Sequence, residues 1–217
     1  MLDPVTGEGR VLVACEESAI VRDAFRARGF DAWSCDILPC AGDPRWHIQG
    51  DAVAAVYARR WDLVIAHPEC TYLANSGAKH LYAGMKKENG PNPERWARMG
   101  AGALFFRLML NAPARHVAVE NPIMLGHAKA LFGIPEATQF IQPWEHGHGE
   151  TKATGLWLRN LPKLRPSNPV EGREQRIWKM GPGEHRQRER SRTFPGIAAA
   201  MAQQWGDFIL NQQRAAA

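Results

Sequence analysis

A thiol and a carboxyl group close two short apolar runs of this sequence, and both runs end on proline. In Trp61 to Gly77, WDLVIAHPECTYLANSG, the β-branched run Asp62 to Ala66 stops at His67-Pro68-Glu69-Cys70. In His116 to Pro122, HVAVENP, a second run stops at Glu120-Asn121-Pro122. Proline has no N–H to give to a strand ladder, so each run is expected to leave its sheet there, with Cys70 on a loop. Loops at the carboxyl ends of strands in an open α/β sheet face the crevice where ligands bind. A thiol that can ionise and a carboxyl group that can hand over a proton, on neighbouring strand tips, would give one crevice a nucleophile and an acid. Asn121, beside the acid, carries an amide able to hold the loop or the edge of a base. Glu69 works against the thiol, because an adjacent carboxylate raises a thiol pKa unless it points away.

The elements that would position these tips read as alternating strands and helices. Arg10 to Cys15 is a short apolar run, and Glu16 to Gly29 follows with Ile20, Val21, Ala24, Phe25 and Ala27 on one helical face and Gly29 as the stop. Phe30 to Ser34 resumes a strand that ends at Asp36, and this βαβ order implies a parallel sheet. Asp36 is placed to accept hydrogen bonds from ribose hydroxyls, and it is also an ordinary turn former before Ile37-Leu38-Pro39. Asp51 closes HIQGD, where it lies near a purine ring or caps the short helix Ala52 to Arg60. After Cys70, residues 71–92 are polar and rich in Gly and Pro, and read as a mobile loop able to close over a substrate. Pro93 to Leu110 reads as a helix turning Trp96, Met99, Ala103, Phe106, Leu108 and Leu110 toward the sheet. Ile123 to Phe132 is a short helix, Thr154 to Leu158 a strand and Pro195 to Leu210 a last helix.

At 217 residues, with 45% hydrophobic and 23% charged residues, the chain reads as one globular unit rather than a disordered or membrane-spanning one. The first residues lack the basic and apolar regions of a secretory signal, so a cytoplasmic setting is expected. The four cysteines, Cys15, Cys35, Cys40 and Cys70, show neither paired zinc spacing nor the density of a disulfide framework. His146 and His148 in EHGHGETK meet no established ligand spacing, so no metal is expected and the stretch reads as a Gly-rich catalytic or substrate loop. Residues 152–192 hold eleven Lys and Arg against four Glu, a local +7 in a chain of net charge +5, leaving −2 elsewhere. Basic residues gathered in one segment read either as a solvated surface or as a phosphate-binding face. Lys152, Arg173, Arg176, Lys179, Arg190 and Arg192 are its candidate nucleic-acid contacts, with Trp157 or Trp178 as stacking surfaces.

Three segments together, Val11 to Pro39 (VLVACEESAIVRDAFRARGFDAWSCDILP), WDLVIAHPECTYLANSG and HVAVENP, resemble the cytosine-5 DNA methyltransferases, in the reduced form carried by bacteriophages and prophages. The resemblance covers roughly residues 10–125. It implies an α/β fold: a single Rossmann-like S-adenosyl-L-methionine (SAM) methyltransferase domain over residues 1–217, with helices on both faces of the sheet. Residues 138–193 would form a small basic, Pro/Gly/Arg-rich substrate-binding extension. It implies Cys70 as the covalent nucleophile, Glu120 as the group that engages the pyrimidine with Asn121 beside it, and SAM held by Cys15, Glu16, Glu17, Ser18, Asp36, Asp51, His67 and Pro68. It further implies double-stranded DNA as the substrate and the cytoplasm of a bacterium or phage-infected cell as the setting. Three features depart from the family. The first turn has no glycine, Pro-Glu-Cys stands for Pro-Pro-Cys, and only residues 138–193 are left to read a target. Those departures keep two alternatives open, a nucleic-acid-binding protein of methyltransferase descent without activity, and an enzyme that uses the same pocket on a free nucleotide or for another base modification.

Overall fold

The apolar runs become strands buried on both sides because helices cover both faces of one sheet. The computed structural model describes residues 9–176 and 191–216. Its strands are β1 Arg10–Ala14, β2 Asp31–Asp36, β3 His47–Gln49, β4 Leu63–Ala66, β5 His116–Pro122, β6 Gln139–Ile141 and β7 Thr154–Arg159. Its helices are α1 Ile20–Arg26, α2 Ala52–Tyr57, α3 Pro93–Leu110, α4 Gly126–Phe132 and α5 Pro195–Ala216. The strand order is β3-β2-β1-β4-β5-β7-β6, with β1 to β5 parallel to one another and β7 antiparallel to both β5 and β6. This is a doubly wound, Rossmann-like order with a reversed strand set between the fifth and sixth. The switch point lies between β1 and β4, where the chain changes its direction of travel across the sheet.

Side-chain alternation divides the core in two. Leu12, Val64, Ala66, Val117 and Val119 meet α2, α3 and α4 through Met99, Ala103, Phe106, Met109 and Leu125. Val11, Val13, Leu63, Ile65 and Ala118 meet α1 and α5 through Val21, Phe25, Ile197, Met201 and Trp205. Arg22 of α1 is fully buried, donating from Nη1 to the Asp43 carbonyl at 2.8 Å and to Ser34 Oγ at 3.4 Å, which pins the loop after β2 to that strand.

Several expectations change. The first helix begins at Ile20 rather than Glu16, because Cys15 (φ 60°) and Ala19 (φ 64°) turn the chain through left-handed backbone between them. Residues 71–92 are not a loose lid. They form short 3-10 turns anchored by fully buried Leu73 and Leu81, and the Leu81 carbonyl accepts from Asn92 N at 2.8 Å and Trp96 Nε1 at 2.8 Å. Leu108 is exposed, its expected place toward the sheet taken by Met109. Trp157 is no stacking surface: it is 3% exposed, stands edge-on to Phe106, and donates from Nε1 to the Pro135 carbonyl at 2.7 Å. The final helix runs past Leu210 to Ala216, and β6 is a strand that sequence patterning left unread.

Candidate active site

The carboxyl ends of β2, β1, β4 and β5 lie side by side, so the turns that follow them share one rim. In the turn after β1, Glu16 is 5% exposed and caps the start of α1, accepting from Val21 N at 2.7 Å and Arg22 N at 3.2 Å. Ser18 Oγ donates to Glu16 Oε1 at 3.3 Å, and the Glu17 carbonyl accepts from Ala41 N at 2.8 Å. Burial pushes the Glu16 carboxyl up, while the charge of His67 and the two helix N–H groups pull it back only in part. Burial also pushes the Cys15 thiol far up, with Asp36, Cys35 and Asp51 adding to the effect. Cys15, Asp36 and Asp51 are therefore close enough to feel one another. Cys35 is pushed up to about 11 by burial and the same two acids, so neither thiol supplies a thiolate near neutrality. Each acid also does local work: Asp36 Oδ1 accepts from Leu38 N at 2.9 Å, and Asp51 Oδ1 caps α2 through Val53 N at 2.7 Å.

The tips of β4 and β5 are fixed by register. Ala66 pairs with Val119, which brings the next residues, His67 and Glu120, together on the α1 and α5 face. His67 Nδ1 lies 2.8 Å from Glu120 Oε2, with side chains only 8% and 14% exposed. His67 was expected among the cofactor contacts, yet its observed partner is the acid. Burial alone would push the Glu120 carboxyl up. The hydrogen bond from His67, the charge of Lys152 and the charge of His67 outweigh it and hold this carboxyl below its usual range. His67 Nε2 is buried and has no hydrogen-bond partner among the described residues. A narrow cavity beside the pair is lined by Lys152, Thr154, Thr193 and Phe194.

Cys70 is half-buried, and its carbonyl closes a turn by accepting from Leu73 N at 3.0 Å and Ala74 N at 2.8 Å. This loop is stitched to the chain leaving β5: Asn75 N donates to the Ile123 carbonyl and Leu125 N to the Leu73 carbonyl, both at 2.7 Å. The thiol's loop and the acid's strand thus exit the sheet together. Pro68 is buried, whereas Glu69 is exposed. Asn121 falls on the opposite side of β5 from Glu120, toward α2 to α4. It is fully buried, with Nδ2 donating to the Pro122 carbonyl at 2.7 Å and Oδ1 lacking a partner.

No protein-family model matches the sequence, and no curated protein matches it. Among solved structures, a crystal structure provisionally described as a DNA modification methyltransferase encoded within a prophage of E. coli is similar over 76% of this chain and 53% of that chain, at 14% identity and a TM-score of 0.46. The chain spans about half the length of that protein. The fold assignment rests on the strand order, not on this likeness.

The expected nucleic-acid contacts that fall within the described residues differ in their surroundings. Lys152 is not on the outer surface but faces the cavity beside Glu120. Arg176 is exposed and pairs with Glu150 at 2.7 Å. Arg173 is exposed, donates to the Val170 carbonyl at 2.9 Å and stacks over Trp144 at 3.9 Å. Arg192 is half-buried at the approach to α5. Lys179 and Arg190, with Trp178, lie outside the described residues. His148 Nε2 accepts the Gly196 N–H at 3.0 Å and so holds the start of α5, while His146 is buried with Nδ1 2.9 Å from Ser167 Oγ. Among the described residues no group of His, Cys, Asp or Glu is arranged to hold a metal ion. Sequence reasoning missed Thr193 and Phe194 as cavity walls, since nothing local in a residue pair before a helix tells which sheet edge it will cover. A larger open groove, about 520 Å³, lies at the amino end of β5 against Arg115, His116 and Phe208, on the far edge from these tips.

Proposed function

We propose that this chain is a SAM-dependent methyltransferase acting on carbon 5 of cytosine in DNA, with Cys70 as nucleophile and Glu120 as the acid at ring nitrogen 3. The observation that carries the proposal is the joint exit of the Cys70 loop and the Glu120 strand beside the switch point of the sheet. Carbon 5 of cytosine is a weak nucleophile. Addition of a thiolate to carbon 6, with a proton delivered to nitrogen 3, makes carbon 5 enamine-like and able to attack an electrophile.

SAM supplies that electrophile as a methyl group on a sulfonium. The rim suits it: Asp36 and Asp51 are acceptors for ribose hydroxyls and an exocyclic amine, and Ile37 and Leu38, 75% and 53% exposed, offer apolar cover for a purine. Cys15 and Ala19 hold the left-handed backbone for which glycine is normally used, which supports a cofactor turn built without glycine. Glu120 would bind the base edge and transfer the nitrogen 3 proton, and Cys70 would hold the ring through the covalent bond. A base inside a duplex must leave the stack, at a cost of a few kcal/mol that phosphate contacts from Arg173, Arg176 and the rest of the basic segment help offset.

The deciding experiment is transfer of label from methyl-labelled SAM to DNA. The native protein is expected to label DNA and Cys70→Ala to label none; a silent native protein, or full transfer by Cys70→Ala, overturns the proposal. One observation favours a second reading, a DNA-binding protein without methylation: Glu120 is held ionised, the wrong form for an acid. That reading predicts salt-sensitive DNA binding with no SAM affinity by calorimetry. Labelling of deoxycytidine monophosphate but not of DNA would instead point to a free-nucleotide enzyme.

A further inference from the structure

Glu120 poses a problem that its neighbour answers. An acid at ring nitrogen 3 must deliver a proton, yet this carboxyl is surrounded by groups that favour its ionised form. The groups facing the pair can be named from every element around it: Glu16 from the turn after β1, Lys152 from the segment before β7, and the uncharged Thr154, Thr193 and Phe194 from β7 and the start of α5. Lysine ammonium groups ordinarily hold their proton too tightly to be donors near neutrality, whereas imidazole titrates there. His67 is also fixed. Its backbone N–H extends the β4 ladder to the Ala14 carbonyl at 3.0 Å, Pro68 follows it, and Nδ1 stands 2.8 Å from Glu120 Oε2. Its other nitrogen, Nε2, is buried with no partner among the described residues, an arrangement that costs free energy unless something else satisfies it.

We propose that His67 and Glu120 form one proton-sharing pair, in which His67 holds the proton that Glu120 delivers and Nε2 is the side through which the pair is recharged. The inference rests on the methyltransferase reading for its chemistry, though not for its test. As Cys70 adds, the thiolate electron pair becomes the bond from sulfur to carbon 6, and the ring electrons shift through carbon 5 and carbon 4 onto nitrogen 3. The proton on His67 Nδ1 passes to Glu120 Oε2 and from there to nitrogen 3, leaving a neutral imidazole and an ionised carboxylate. After carbon 5 takes the methyl group, its proton leaves to a water molecule acting as base, the electrons of that carbon–hydrogen bond form the bond between carbons 5 and 6 as sulfur departs with its pair, and the nitrogen 3 proton returns along the same path. His67 is thus a positioning and proton-holding residue, while Glu120 is the group that touches the base.

Two measurements on the full chain test this. The first follows the His67 ring by NMR across a pH titration of the native protein and of Glu120→Gln. A shared proton requires the native ring to sense Glu120 at the acid end, and its midpoint to move to lower pH by about one unit or more in Glu120→Gln. Identical titrations overturn the inference whatever the activity. The second measures single-turnover methyl transfer to DNA against pH for the native protein and His67→Gln, which keeps an N–H donor toward Glu120 but cannot pass a proton on. The native rate is expected to fall toward alkaline pH as the pair loses its proton. His67→Gln should be at least about 100-fold slower and lose that alkaline limb, with SAM affinity unchanged by calorimetry. A His67→Gln rate within a few-fold of native, with the same limb, overturns it. Coupled titrations in a native protein that labels no DNA would sustain the pair and sink the cytosine reading alone.

Discussion

Cys15 and Ala19 bear β-carbons in backbone with φ of 60° and 64°, a region that costs an L-residue about 1–2 kcal/mol. Strain of this kind persists only where the surroundings over-determine it, and here it brackets the turn that carries Glu16. For Ala19→Gly, relief of that strain is set against the lost methyl, about 0.8 kcal/mol, and glycine's extra unfolded-state freedom, about 0.5–1 kcal/mol. The expected net change is under about 0.5 kcal/mol by urea denaturation. The same exchange at Ala103, also fully buried but inside α3, should cost more than about 1 kcal/mol. Trp157 makes the contrary point. An exposed stacking tryptophan could be truncated with little effect on stability, but this one fills the core between β7 and α3, so Trp157→Ala should cost about 3–5 kcal/mol by the same measurement. Its type was legible as large and aromatic; its inward direction was not, because one residue of register moves a strand side chain to the other face.

At the scale of elements, the start of α5 carries unusual weight. A β-carbon on Gly196 would sit 1.8 Å from the His146 carbonyl oxygen, a backbone atom that has no room to yield, while the Gly196 N–H donates to His148. Gly196→Ala should therefore push the first turn of α5 off the sheet, at a cost of about 1–3 kcal/mol or more in equilibrium unfolding. Faster hydrogen exchange over residues 195–202 should accompany it. Because Thr193 and Phe194 wall the cavity beside Glu120, methyl transfer should fall with stability in this variant. Most elements were readable in advance. α3 was expected from Pro93 to Leu110 and lies there, since Asn92 caps it and Pro93 opens it, both local signals. The start of α1 was misread because Glu16 to Ala19 have a helix-like pattern that the turn after β1 overrides. The loop of residues 71–92 looked mobile from its Gly, Pro and charge content, whereas its order comes from two leucines that composition hides.

For the molecule as a whole, stability should carry the mark of its buried carboxyls. Glu120 has its pKa depressed in the folded state, so its contribution is present at neutral pH and lost as pH falls below about 4 through the folded value. Glu16 has the opposite sign: the folded protein holds its proton more tightly, so its contribution weakens as pH rises out of the acid range. In urea midpoints taken from pH 7 to pH 3, Glu120→Gln should therefore lose less stability on the acid side than the native protein. Among the described residues no helix is long and apolar enough to cross a membrane. Within the described part of the basic segment, Lys152 faces Glu120 while Arg173 and Arg176 are exposed.

The sequence by itself determined what depends on near neighbours: alternating strand and helix, the strands ended by Pro68 and Pro122, the cap at Asp51 and the proline that opens α5. It thereby determined that a thiol would follow β4 on a loop and that a carboxyl group would lie near the carboxyl end of β5. Tertiary structure alone decided that β4 and β5 lie side by side in a register that sets His67 against Glu120, that Lys152 returns from a distant segment to face them, and that Arg22 and Trp157 are sealed inside. The physical reason is that strand order and register are settled by how the two faces of the sheet pack against the helices that cover them. That sum over the whole chain is carried by no single stretch of residues.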